Sequence, residues 1–246
     1  MKPAPFEYAA PASLDEALAL IGDEARPLAG GQSLVPMLNF RLARPARLVD
    51  LERVGLDHVR VDGALRLGAM TRQATIERSR EIAAGWPLLR QAVRHVGHPQ
   101  IRARGTIGGS VAHADPKAEL PVALAALGAR FHVRSAAGAR TLTAGELFRG
   151  PLMTALAPDE LLVEIEVPPL PAGARTAFAE HARTHGDFAI AGVAAVVTGD
   201  RVTLGLLGAA YTPVVVDSEA AIADVADPHR RALLAALARR AIAAAA

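Results

Sequence analysis

Two short glycine-centred stretches are the residues of this chain best suited to hold a ligand with main-chain atoms. One is Gly105-Thr106-Ile107-Gly108-Gly109-Ser110, entered from an arginine-bearing segment, Gln100-Ile101-Arg102-Ala103-Arg104. The other is Leu28-Ala29-Gly30-Gly31-Gln32-Ser33-Leu34. Glycine permits positive φ and has no Cβ, so neighbouring N–H groups can converge on an anion. Each pair is therefore expected to form a tight turn whose backbone faces a ligand. A single Gly-Gly turn is ordinary turn chemistry. Two of them, each entered from apolar residues and followed by a hydroxyl residue, point to two loops gripping one dinucleotide-like polyphosphate. Neither has G-x-G-x-x-G or Walker A spacing, which sets the Rossmann and P-loop motifs aside. On this view Gly109→Val forces an unsuitable φ and blocks the pyrophosphate while leaving the fold largely intact.

Other reactive side chains carry weaker signals. Ser110 with His113-Ala114-Asp115 resembles hydrolase chemistry, but no nucleophile-elbow pattern surrounds Ser33 or Ser110. His181 and His185 stand four apart, as metal ligands on a helix do, yet the glutamate of H-E-x-x-H is missing and the local pattern is that of a strand or turn. Arg41, Arg44 and Arg47 form a basic cluster typical of solvated surface. Trp86 is assigned to the core.

With 246 residues, 51% of them hydrophobic, the chain can bury one large core or two modest ones. A formal net charge of only +2 does not call for nucleic acid. It has no cysteine, so disulfides, thiol nucleophiles and cysteine-ligated iron–sulfur clusters are excluded within it. The residues Met1-Lys2-Pro3-Ala4-Pro5 carry no signal-like apolar run, and the longest such run, Phe188 to Val197, is too short to span a bilayer. The expected location is the cytoplasm.

The elements that must position the glycines follow from pattern. Ser13-Leu14-Asp15-Glu16 predicts a capped helix ending at Gly22. Arg26 to Ala29 and Arg47 to Leu51 read as strands, with 34–40 either helix or extended loop, giving a small β-α-β-type lobe to about residue 56. Alternation on either side of Asp62-Gly63 predicts a hairpin. Thr71 is expected to cap a helix to about Ile82, and Trp86 to Val96 marks a second. An apolar helix covers about 117–128. Strands follow at 130–134, 139–142 and 160–167. The proline-rich 168–173 segment is a boundary. Beyond it lie three strands, at 174–183, 188–197 and 201–207, and a helix from about Pro228 fraying into the last alanines. The fold class is α+β.

The segments 28–34, Leu48-Val49-Asp50-Leu51, 100–102 with 105–110, His113-Ala114-Asp115-Pro116 and Gly186-Asp187-Phe188-Ala189 resemble, in order and over nearly the whole chain, the FAD-binding medium subunit of molybdenum hydroxylases. That family includes relatives of carbon monoxide dehydrogenase and xanthine dehydrogenase. The resemblance implies a two-lobed FAD-binding fold of the vanillyl-alcohol-oxidase (PCMH) type, lobes 1–56 and 57–173, plus a smaller C-terminal α+β domain, 174–246, with a short three-stranded sheet. It implies that Leu28, Ala29, Gly30, Gly31, Gln32, Ser33 and Leu34, with Thr106, Ile107, Gly108, Gly109 and Ser110, hold the FAD diphosphate and ribityl through backbone amides and the hydroxyls of Ser33, Thr106 and Ser110. Glu119 falls where the family has an aspartate contacting FAD, and Leu162 where a residue lies beside the flavin ring.

By the same resemblance the chain has no catalytic acid or base of its own and no metal. A small iron–sulfur subunit would deliver electrons from a large molybdenum subunit to FAD, in a dimer of heterotrimers, and an external acceptor would reoxidise the flavin. Three departures from the family pattern stand out: Glu119 for aspartate, Ala103 for asparagine, and a C-terminal region shortened between about Asp217 and Arg230. Two rival functions remain. A stand-alone flavin-dependent oxidoreductase of the same fold needs a proton donor that the sequence does not display. An assembly subunit without FAD has no need of four intact glycines.

Overall fold

The computed structural model describes residues 2–245. In chain order the elements are β1 (Glu7–Ala9), α1 (Leu14–Leu20), β2 (Ala25–Leu28), α2 (Leu34–Asn39), β3 (Arg47–Asp50), β4 (Val59–Val61), β5 (Leu65–Gly68), α3 (Gln73–Arg78), α4 (Arg80–Gly85), α5 (Pro87–Val93), α6 (Pro99–Arg104), α7 (Ile107–His113), α8 (Glu119–Ala126), β6 (Arg130–Ser135), β7 (Gly138–Thr143), α9 (Ala144–Leu147), β8 (Phe148–Gly150), β9 (Met153–Thr154), β10 (Leu161–Val167), β11 (Arg175–His181), β12 (Ala191–Thr198), β13 (Arg201–Leu207), β14 (Val214–Val216) and α10 (Pro228–Ala245). The class is α+β, as expected. Among the described residues no helix is long and apolar enough to cross a membrane.

Three larger sheets and a two-stranded β8-β9 sheet organise these elements. A parallel sheet runs β1-β3-β2, an antiparallel one β4-β5-β10-β6-β7, and a second antiparallel one β11-β12-β13-β14. The third sheet corrects the three-stranded expectation: β14 pairs Val214–Val216 with Leu204–Leu206. A three-residue edge strand is too short for alternation to announce it. The 217–230 stretch contains one short 3₁₀ turn, Ala220–Asp224.

Strand β10 joins two cores. A β-bulge between Leu162 and Glu164 resets its alternation. Leu161 and Val163 pack with Ala17, Leu18 and Val49 of the first layer, whereas Leu162, Ile165 and Val167 pack with the central helices. The bulge places Glu164 in reach of Arg66 (3.0 Å) and His58 (2.9 Å).

Helix α8 is buried along all eight residues, as a helix apolar on every side must be. It lies against the third sheet at Gly205, where a Cβ would come within 2.8 Å of the Val122 carbonyl. Helix α10 covers the other part of that sheet through Leu234, Leu237, Ala238 and Ala241. Ala245 is buried there too, so packing keeps the alanine tail helical through Ala245 where fraying was expected; Ala246 lies outside the described residues.

Candidate functional site

The first glycine pair leaves the carboxyl end of β2, the side on which parallel sheets bind ligands. Leu51 N–H donates to the Leu28 carbonyl (3.0 Å), fixing where the strand stops. Gly31 has φ +74°, a left-handed value that carries little cost only without a Cβ. The Gln32 amide nitrogen donates to the Gly30 carbonyl (3.0 Å), and Val35 N–H donates to Gly31 (3.0 Å). Ser33 precedes α2 without using its hydroxyl as a cap. The N–H groups of Gly31, Gln32 and Ser33 find no acceptor among the described residues. Three neighbouring free donors and an exposed hydroxyl are what an anionic ligand requires.

The second pair is not a turn. Thr106 is an N-cap, its hydroxyl accepting from Gly109 N–H at 3.0 Å, and Gly108 and Gly109 lie in the first turn of α7. Of the amides expected to grip the ligand, those of residues 107–110 are already used. Ile107 donates to Thr71 (3.0 Å), Gly108 to Ala69 (2.9 Å) and Ser110 to Thr106 (3.1 Å). Of the grip expected from amides 106–110, that of 107–110 is therefore corrected: those amides serve the fold, Thr106 is 2% exposed with its hydroxyl held in the cap, and the motif offers a ligand the half-buried Ser110 hydroxyl. Its glycines have a steric purpose. A Cβ on Gly108 would lie 2.6 Å from the Ala69 carbonyl. On Gly109 it would lie 2.7 Å from the Thr106 hydroxyl and 3.3 Å from the Ala29 Cβ.

That last contact matters, because the two motifs touch. A Cβ on Gly30 would lie 2.2 Å from the Arg104 carbonyl and 2.8 Å from the Gly105 Cα. Residues 29–30 and 104–109 thus form one composite surface. Gln73 Oε1, buried and without a donor, lies 2.6 Å from where a Gly105 Cβ would be. Free amides, the exposed Ser33 hydroxyl, the half-buried Ser110 hydroxyl and a floor built of glycine fit a diphosphate-bearing cofactor.

Arg72 fastens this surface, and no motif in the sequence marks it. Its guanidinium donates both to the Arg104 carbonyl and to the Glu52 carboxylate just beyond β3. Beside it the backbone bridges Thr106, with Gln73 N–H donating to the Gly105 carbonyl (2.9 Å). Thr71, expected to cap a helix, is instead fully buried and donates its hydroxyl to the His58 carbonyl (2.9 Å). The expected long helix therefore splits into α3 and α4, the second capped by Ser79. Arg102 is structural: its guanidinium pairs with Glu77 (2.9 Å) and donates to Val96 and Gly97 carbonyls.

Glu119 and Leu162 lie on the flanks of α7, which packs against both α8 and β10. Leu162 is 5% exposed, its side chain in the central core. Glu119 is 6% exposed. Burial, with the nearby Glu180 carboxylate adding to it, pushes the Glu119 carboxyl up to about 7. Asp115 accepts from Lys117 N–H (2.8 Å), which ties it into its own turn. The 186–189 segment closes on the central unit: a Cβ on Gly186 would lie 2.8 Å from the His98 ring. His181 ends β11 and His185 lies in the loop beyond, so they share no helix face.

Residues 4–170 match the family described as "FAD binding domain in molybdopterin dehydrogenase". The 6-hydroxypseudooxynicotine dehydrogenase complex subunit alpha of Paenarthrobacter nicotinovorans is 48% identical over 81% of this chain and 69% of its own. The carbon monoxide dehydrogenase medium chain of Afipia carboxidovorans is 40% identical over 87% of this chain and 77% of its own. A chain in the solved carbon monoxide dehydrogenase of Hydrogenophaga pseudoflava superposes with a TM-score of 0.93 at 34% identity, over 100% of this chain and 98% of that one.

Proposed function

The chain belongs to the FAD-binding medium subunits of molybdenum hydroxylases, and from that membership we propose that it holds FAD and relays electrons from an iron–sulfur subunit to an external acceptor. The amides of Gly31, Gln32 and Ser33 bind the diphosphate, with the hydroxyls of Ser33 and Ser110 completing the contact. Ala29, Gly30 and Gly109 supply a floor flat enough for close approach, and Leu28 and Leu34 bracket the loop. Glu119 and Leu162 border the ring-bearing end. Bound flavin supplies the exchange between one-electron and two-electron carriers. The protein's contribution is to orient that group and shield it from water.

The absence of cysteine places the clusters in other chains. The partners are a small iron–sulfur subunit and a large molybdenum subunit, assembled as a dimer of heterotrimers. The observation that carries this proposal is the contact of the two glycine motifs beside three unused amides. Adding FAD to the purified full chain should quench flavin fluorescence in a saturable way. Purification from its host should bring down two further chains and iron–sulfur absorbance. No FAD uptake overturns the proposal, and flavin without partners favours the stand-alone oxidoreductase.

A further inference from the structure

The turn that ends α2 displays apolar and basic side chains that the diphosphate contact does not use. We propose that Phe40, Arg41, Leu42 and Arg44 form the docking surface for the iron–sulfur subunit, meeting an apolar patch edged by carboxylates on that chain. The proposal rests on the electron-relay role above.

The turn is pinned by its own backbone. Arg41 N–H donates to the Leu38 carbonyl (2.9 Å) and Leu42 N–H to the Met37 carbonyl (2.9 Å), the paired bonds of a Schellman helix stop. Ala43 N–H also reaches the Met37 carbonyl (3.3 Å). Arg41 holds the left-handed place of that motif, with φ +57°. Glycine takes this place without steric cost, and arginine does not. The helix stop therefore has no need of the arginine, and its side chain must serve another purpose. Within the described residues its guanidinium reaches a backbone oxygen, the Lys2 carbonyl, through Nε at 3.3 Å.

On either side of Arg41 the pinned backbone holds apolar side chains out in water: Phe40 is 67% exposed and Leu42 75%. Fixed, exposed apolar groups of this kind are what a protein partner covers. The charges beside them are unbalanced. Arg44 Nε donates to the Arg41 carbonyl (3.1 Å). Among the described residues no carboxylate pairs with Lys2, Arg41 or Arg44, whereas Arg47 is paired with Glu7 at 2.7 Å. The surface is thus apolar at its centre and cationic at its rim, the division found in protein interfaces. Its complement is an apolar surface edged by acids.

Two observations choose the occupant. Helix α2 runs from Ser33 of the diphosphate loop to Phe40, and its six residues span about 9 Å. A chain seated on this turn lies close to the loop that holds the cofactor, as a chain delivering electrons to it must. The sign of the charge agrees. Four thiolates leave an iron–sulfur cluster net negative in either oxidation state, so the chain that carries it brings the charge that Arg41 and Arg44 lack. A second copy of this chain would bring the same unpaired cations to a two-fold contact and be repelled.

The test uses the complex purified from the host. With p-benzoylphenylalanine in place of Leu42, illumination should join this chain to the subunit whose peptides contain the cluster-ligating cysteines. Arg41→Glu with Arg44→Glu should raise the concentration at which the complex half-dissociates at least about tenfold, and Leu42→Ser should do the same. Arg41→Gly, which suits the turn and removes only the side chain, should unfold at no lower urea than the wild type and still associate more weakly. FAD occupancy should be unchanged in every variant. Equal dissociation of the wild type and the charge-reversed variant overturns the docking surface while FAD binding stands. So does a cross-link to the molybdenum subunit or to a second copy of this chain, or no cross-link at all. An FAD-loaded chain that brings no iron–sulfur subunit overturns the electron relay and this surface with it.

Discussion

At Gly30, a single missing Cβ decides whether two distant segments can meet. Alanine there would place a carbon 2.2 Å from the Arg104 carbonyl, a backbone atom that cannot rotate away. Gly30→Ala should cost about 1–3 kcal/mol of stability and reduce FAD affinity at least about tenfold, as denaturant unfolding and fluorescence titration would report. Gly109→Val also acts sterically and not through φ, since Gly109 lies in a helical turn; it drives a branched side chain at the Thr106 cap and Ala29. Glu119 offers a second test. Its folded value, about 7, lies above the reference 4.5, so the folded chain binds that proton more tightly than the unfolded one. Its destabilising effect is absent below pH 4.5 and complete above about 7, on the order of 3 kcal/mol. The raised His95 works in the same direction, losing stability as pH rises through its folded value. The FAD-free wild type should therefore unfold at lower urea at pH 8 than at pH 6, and Glu119→Gln should narrow that difference. An unchanged gap would show that Glu119 is not the buried acid responsible.

Helix α7 and the loop before α2 share a Gly-Gly pair and yet differ in kind. In α7 the pair lets a helix start pressed onto the Ala69–Thr71 backbone, with Thr106 closing the first turn. In the loop the pair supplies a left-handed residue and leaves amides free. Thr106→Ala should cost about 1 kcal/mol and loosen α7, seen as faster amide exchange at Gly109. It should lower FAD affinity less than Gly30→Ala does, because the unused amides lie in the other motif. Local sequence could not separate these two uses of glycine, since the deciding partner, residues 69–71, lies some 35 positions upstream.

Across the molecule, Arg72 couples the parallel sheet to the central unit through Glu52 and to the second motif through the Arg104 carbonyl. The Glu52 carboxylate is half exposed, so the ion pair itself contributes at most about 1 kcal/mol. Its larger effect should fall on the ligand. Arg72→Ala should weaken FAD binding about tenfold with a small change in unfolding midpoint. Arg72→Lys, a point charge unable to span both acceptors, should restore only part of that loss. Equal affinities in all three proteins would remove Arg72 from the site.

Much of this architecture was legible without coordinates. Period-two alternation and turn chemistry marked most strands. Ser13 and its Glu16 marked a helix start, and the all-apolar run after Lys117 marked a buried helix. The ordered glycine motifs identified the family, because the absence of a Cβ at those positions is a local chemical fact. What only the tertiary structure decided depends on residues far apart in sequence: that the motifs touch, that the second is a helix start with the amides of residues 107–110 spent, that Arg72 ties the Arg104 carbonyl to Glu52, and that Glu119 is buried within electrostatic reach of Glu180 and His95. Local pattern records which conformations a segment can adopt. Hydrogen-bond partners, burial and charge proximity are set only when the sheets pack against one another.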